Sequence, residues 1–311
     1  MGVKRKAAAA ILVLLFFLGF LWLQGGLDYH WDSCLKGYNQ VDKLHHLSNS
    51  SGADGANGSE GPPIQENCPG QNFQVSLLLS HLLAAPAYST DVLLQPYLSS
   101  WDELVKFMEA LGPMVGLISK EIETKTSIIR QLALLAEENR EAELGADLQS
   151  IHSVSTEVGT KKSLGASQHD GAYHSVRSMI LVELNRGVVD FDHQTDSGCR
   201  TLLRLHRALL WLKLFLEKLA ETPEAGRLRS PSELCREAYK TTLANHHTWF
   251  VRRAAELAFI AMPERGFFFR LVCTQDQEEL NRVLSRVVRA IGEVYNRTQK
   301  ALEENNMLDL P

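Results

Sequence analysis

The chain of 311 residues holds only five cysteines, Cys34, Cys68, Cys199, Cys235 and Cys273, and no CxxC pair. A zinc ribbon and a thioredoxin-type redox motif are therefore excluded, and five thiols are too few for a disulfide scaffold. Cys34 and Cys68 bracket a polar stretch; they either bridge in an oxidising lumen or stand as two unpaired thiols. Ten prolines and 21 glycines exclude a collagenous or wholly disordered chain, while 45% hydrophobic residues suffice for a packed core. An excess of basic charge is also missing, with 32 Lys+Arg against 37 Asp+Glu and a net charge of −5. Nonspecific nucleic-acid affinity needs clustered cations to neutralise phosphates, so no nucleic-acid partner is expected and any anion site is local. The serine-hydrolase, zinc-protease, P-loop, dinucleotide and calcium-loop patterns are all absent. His246 and His247 are adjacent, so on a helix they diverge by about 100° and make a poor metal pair. No enzymatic activity, cofactor or metal is expected.

One long hydrophobic run is present. Lys4-Arg5-Lys6 precedes seventeen uncharged residues, Ala7 to Leu23, followed by Gln24-Gly25-Gly26. As a helix the run spans about 26 Å at ~1.5 Å per residue, between a signal peptide and a full membrane span. An uncleaved signal anchor is the preferred reading of residues 1–23. The positive-inside bias then sends everything after Leu23 into the lumen or outside. Residues 24–70, with SNSSGADGANGSEGPP, are too poor in apolar side chains to offset the entropy of ordering and read as a flexible polar linker. Asn49, Asn57 and Asn296 begin N-glycosylation triplets, two of them in that linker, which agrees with a secretory route.

Residues 71–311 read as one all-helical domain, with apolar residues at spacings of three and four and no strand-like alternation. Ser100 and Glu103 suggest a capping box opening a helix that bends at Gly112-Pro113 and continues to about Ala136. Ser230-Pro231-Ser232-Glu233 repeats that signature. Further helices fit Asn72–Ala85, Tyr173–Gly187, Gly198–Glu221, His247–Ala261 and Asp276–Glu304. Between Glu138 and Gly171 the polar, turn-rich composition predicts an excursion between two helices.

The most informative segment runs from Gly198 to Trp211. At 100° per residue Arg200, Arg204, Arg207 and Trp211 fall within about 60° of one another, while leucines occupy the other faces. Arginines on a mostly buried helix are costly unless an anion or a carboxylate meets them. Phosphate fits the planar guanidinium fork; salt bridges to Glu121, Glu123 or Glu183 fit equally well. Glu121 and Lys125, four apart, alone make an ordinary surface ion pair.

These segments resemble the glycolipid transfer protein superfamily, in particular its ceramide-1-phosphate transfer branch. The likeness is carried by VLLQPYLSSWDELVKFMEALGPMVGLISKEI, SGCRTLLRLHRALLWLKLFLE, the residues from His247 to Ala254, and the ending Tyr295-Asn296 to Leu308-Asp309-Leu310-Pro311. It covers roughly residues 72–311. The resemblance implies a two-layer helical sandwich enclosing an apolar tunnel for one sphingolipid. It implies that Lys125, Arg200 and Arg204 hold the phosphate, that His247 meets the ceramide amide carbonyl, and that Arg207 and Trp211 support the pocket. Glu121 stands where the family uses Asp to bind the ceramide amide and hydroxyl, and its extra methylene displaces the acceptor by about 1.5 Å, more than a hydrogen bond tolerates. His246 replaces the usual Tyr and Thr248 the usual Pro.

The resemblance also places a membrane-docking surface at Trp249, Phe250, Arg252 and Arg253, where rings sit at headgroup depth and cations meet anionic lipid. Phe267, Phe268 and Phe269 read mainly as core. The implied activity is binding and intermembrane transfer of ceramide 1-phosphate by a monomer without cofactors. The alternative is a membrane-anchored sensor or adaptor that holds lipid without shuttling it. The apolar N-terminus favours a membrane-associated, secretory location over the cytosolic one usual for relatives.

Overall fold

Local chemistry sets most helix ends in the computed structural model, which describes residues 68–88, 90–151, 171–221 and 228–311. Among these residues there are nine α-helices: α1 Val75–Ala84, α2 Leu94–Ala110, α3 Pro113–Ile151, α4 Val176–Asn185, α5 Gly198–Ala220, α6 Pro231–Thr241, α7 Trp249–Ile260, α8 Arg265–Leu271 and α9 Gln277–Glu304. A 3₁₀ turn, Ala244–His246, separates α6 from α7. Two two-residue strands, β1 Pro86–Ala87 and β2 Asp91–Val92, pair antiparallel and are too short to leave an alternating pattern. The apolar run, the linker up to residue 67, Cys34, Asn49 and Asn57 lie outside the described residues. Among the described ones no helix is long and apolar enough to cross a membrane.

The predicted capping box at Ser230 is present: its hydroxyl accepts from Glu233 N, and the Glu233 carboxylate accepts from Ser230 N at 3.1 Å, with Pro231 at the first helical position. The one predicted at Ser100 is not. Helix α2 starts at Leu94, so Ser100 lies inside it, buried, with its hydroxyl donating to the Tyr97 carbonyl at 2.6 Å. Its supposed partner Glu103 is also buried and reaches another helix, accepting from Gln74 N at the start of α1 and from Lys106. Gly112, at φ +109°, separates α2 from α3 outright rather than bending one helix. Helix α3 then runs past Ala136 to Ile151, well into the expected excursion. Glu, Ala, Arg and Leu there are strong helix formers, and Arg140 pairs with Glu137 one turn away.

Helices α1, α2 and α3 pack in chain order, and this layer closes on the α5–α9 pair, through α3 against α5 at one end and α1 against α9 at the other. Helix α5 is the hub and also supports α4 and α6. Trp101, Tyr97, Phe215, Phe268 and Met108 are among the largest side chains buried between the layers. Phe268 meets both Phe107 and Phe215, so the aromatic run in α8 belongs to the core, as its sequence suggested. Cys68 does not await Cys34: it is bonded to Cys273, Cα to Cα 5.7 Å, joining the entry to α1 with the α8–α9 turn. The sequence left Cys68 either bridged to Cys34 or unpaired; the fold brings together residues 205 positions apart. Cys199 and Cys235 are buried free thiols.

Candidate functional site

The arginine helix α5 is anchored at its first turn. Ser197 caps it by accepting from Arg200 N at 3.1 Å. The buried Glu183 carboxylate of α4 accepts from Gly198 N at 2.6 Å, Cys199 N at 2.8 Å and the Tyr173 hydroxyl at 2.7 Å. A carboxylate at a helix N-terminus satisfies amides that would otherwise lack partners and interacts favourably with the dipole. Position 198 has no room for a side chain, because a Cβ would lie 2.8 Å from both Glu183 Oε1 and Met179 Sδ. Glu183 thereby sets where Arg200 begins its turn, but it does not pair with it.

Arg200, Arg204 and Arg207 line one side of α5, half-buried, as the periodicity predicted. No Asp or Glu side chain among the described residues is in an ion pair with any of the three. They donate instead to the segment following α9: Arg204 Nη1 to the Leu310 carbonyl at 3.3 Å, Arg207 Nη2 to the Leu308 carbonyl at 2.7 Å, and Arg200 Nε to an oxygen of the C-terminal residue Pro311 at 2.5 Å. Of the acids that might have neutralised the stripe, Glu183 is held by α5 amides and Glu121 is paired with Lys125. Burial, then the neighbouring Arg200 and Arg207, push the Arg204 guanidinium below its ordinary pKa. Burial does the same to Arg207, opposed by Asp309. The Leu310 and Leu308 carbonyls satisfy donors without cancelling charge, so Arg204 and Arg207 remain cationic. Trp211, one turn on, is buried as a packing residue.

The 3₁₀ turn ends in two adjacent histidines, of which His246 lies near this stripe. His246 is exposed, and its pKa is lowered by partial burial and by Arg207 and Arg204. His247 turns inward, its Nδ1 2.9 Å from the Tyr239 hydroxyl. The phenol therefore fixes the imidazole and leaves Nε2 as the other hydrogen-bonding atom. Tyr239 was not singled out in the sequence; its place eight residues before His247 becomes meaningful only once the α6–α7 connection folds back. Lys125 and Glu121 lie on α3, joined at 2.6 Å. Glu121 is 66% exposed and Lys125 much less so. Helix α3, which carries Glu121 and Lys125, packs along α5 and also touches α7, the helix that begins two residues after His247.

Helix α7 turns an apolar face outward. Trp249, Phe250, Leu257 and Ile260 are all exposed, Phe250 and Ile260 at 71%. Arg252 and Arg253 are exposed too, and the Arg253 guanidinium lies 5.6 Å from the Trp249 ring centroid. The sequence identified the first turn of this face but missed Leu257 and Ile260, which extend it along the whole helix. No group of three His, Cys, Asp or Glu that could hold a metal occurs among the described residues.

Comparison with known proteins agrees with this architecture. The glycolipid transfer protein family model matches residues 92–274. The ceramide-1-phosphate transfer protein of Xenopus laevis is 38% identical over 225 residues, covering 71% of this chain and 88% of the relative. The Homo sapiens protein of that name is 36% identical with the same coverage. The crystal structure of human ceramide-1-phosphate transfer protein in complex with 2:0 ceramide-1-phosphate superposes with a TM-score of 0.61 at 33% identity, covering 77% of this chain and 99% of that one. The mouse apo-form gives 0.60 at 34%, covering 77% and 100%. A family match over more than half of the chain, with these relatives covered almost end to end, decides the assignment: the chain belongs to the glycolipid transfer protein family.

Proposed function

We propose that the helical domain, residues 71–311, binds ceramide 1-phosphate and carries it between membranes as a monomer, with no chemical step. The observation that carries this reading is the set of three guanidiniums held side by side on main-chain oxygens, Arg204 and Arg207 on neutral carbonyls, with no Asp or Glu ion pair among the described residues. A phosphate supplies the missing negative charge and accepts N–H bonds from planar forks. Arg200, Arg204 and Lys125 hold the headgroup, Lys125 leaving Glu121 to do so, while His247 meets the amide carbonyl. Glu121 then faces the amide and hydroxyl of the sphingoid base. Moving two acyl chains through water exposes methylenes at about 0.8 kcal/mol each, so the chains occupy an apolar tunnel between the helical layers.

Loading takes place with α7 lying on the bilayer: Trp249, Phe250, Leu257 and Ile260 enter the interface and Arg252 and Arg253 face anionic headgroups. The internal disulfide supports residence in an oxidising compartment, as do the apolar run and the two linker triplets. If residues 1–26 are retained, they tether the domain and restrict it to local exchange; the first residue of the mature protein separates a tethered holder from a free shuttle. The decisive measurement is extraction of ceramide 1-phosphate from vesicles by an Arg204→Leu variant. Extraction is expected to be abolished with helicity unchanged; wild-type extraction by the variant would overturn the phosphate role.

A further inference from the structure

The segment after α9 is set by a Schellman turn. Asn306 adopts φ +56°, Met307 N donates to Leu302 O at 2.8 Å, and Asn306 N donates to Glu303 O at 3.0 Å. Leu302 and Met307 are both buried, which supplies the hydrophobic contact usual for that motif. The turn sends the chain back along α5. Its residues rise in number from Leu308 to Pro311 as the arginines that meet them fall from Arg207 to Arg200, so segment and helix are antiparallel. Leu310 is buried and pins the far end.

Leu308 and Asp309 form a turn rather than a strand, and the oxygens of Leu308, Leu310 and Pro311 all face α5. Each guanidinium uses one of its five N–H groups on the segment and keeps the rest.

We propose that Leu308–Pro311 is a positioning strap, which fixes the three guanidiniums of α5 in a cup of defined spacing and so sets the preference for a phosphorylated over an unphosphorylated headgroup. This inference rests on the phosphate-carrier reading. Without the strap, three mutually repelling flexible side chains splay into solvent and the charge is no longer focused.

Its test compares uptake of ceramide 1-phosphate with uptake of ceramide, each presented in phosphatidylcholine vesicles to the full-length protein. The wild type is expected to prefer the phosphorylated lipid. Deletion of residues 309–311 removes the acceptors of Arg200 and Arg204 and is expected to lower that preference at least tenfold while ceramide uptake persists. Leu310→Ala keeps every carbonyl and loses only buried side-chain packing, so its preference should stay within twofold of wild type even where its melting temperature falls. Should the deletion fail to fold, a glycine inserted between Leu308 and Asp309 displaces the Leu310 and Pro311 oxygens with all residues retained, and the same drop is expected. An unchanged preference in the deletion or insertion variant, or equal losses in Leu310→Ala, would make the segment mere packing and overturn the strap. A wild type with no preference would instead defeat the phosphate-carrier reading beneath it.

Discussion

In the proposed site His247 offers one ring nitrogen, because the other faces the Tyr239 hydroxyl. With Tyr239 facing Nδ1 at 2.9 Å, the ring is held at one angle, and its remaining nitrogen has a fixed direction. Tyr239→Phe preserves the edge contact with Phe259 and removes only the hydroxyl. Lipid affinity is expected to fall about fivefold, the equivalent of one net hydrogen bond of about 1 kcal/mol, as read by fluorescence titration. Gly198 tests the anchoring of α5. A methyl group there meets Glu183 and Met179 at 2.8 Å, so Gly198→Ala should lose about 1–3 kcal/mol of stability in urea unfolding. His206, stacked on Tyr295 and 2.6 Å from Gln299, gives the pH response. Burial lowers its pKa to about 4, with Arg207 adding to the effect and Gln299 opposing it. The unfolded chain, protonating near 6.5, therefore binds a proton that the folded chain refuses between those values. Stability is whole above about pH 6.5 and declines as pH falls toward 4, with His246 and His247 acting in the same sense. The melting temperature should drop between pH 7 and 5, and drop less in His206→Gln.

At the scale of elements, α7 inverts the usual arrangement of an amphipathic helix. Ala255, Ala258 and Phe259 pack inward, while the larger part of its apolar surface, Trp249 to Ile260, faces out. An isolated soluble domain gains nothing from such a face, whereas a bilayer interface does. Ile260→Glu, three turns from Trp249 and Phe250, should weaken vesicle association severalfold in a sedimentation assay without altering the melting temperature. The spacing of apolar residues revealed that α7 is a helix but not which side is covered. The same limit explains Ser100: a correct capping pattern lies inside α2 because its upstream residues Leu94, Tyr97 and Leu98 are buried by tertiary contacts that outweigh the local signal.

Over the whole molecule, the Cys68–Cys273 bridge closes a loop across nearly the entire domain. Loop-closure entropy for such a span corresponds to about 5 kcal/mol. Cys273→Ser should lower stability in non-reducing denaturation by up to that amount. Peptide mapping without reductant should recover Cys68 linked to Cys273; recovery of Cys68 linked to Cys34 would contradict the fold. Reductant is expected to bring the wild type to the stability of the variant.

The amino-acid order by itself determined the helices, the single face shared by Arg200, Arg204 and Arg207, and the family to which they point, because periodicity and motif order are properties of neighbours along the chain. It left open whether carboxylates neutralise those arginines, which cysteine meets Cys68, and what orients His247. Those answers depend on residues far apart in number, Pro311 with Arg200, Cys273 with Cys68, and on a short turn that returns His247 to Tyr239. Long-range pairing is decided by which surfaces can be buried together, and only the packed layers of the fold fix that choice.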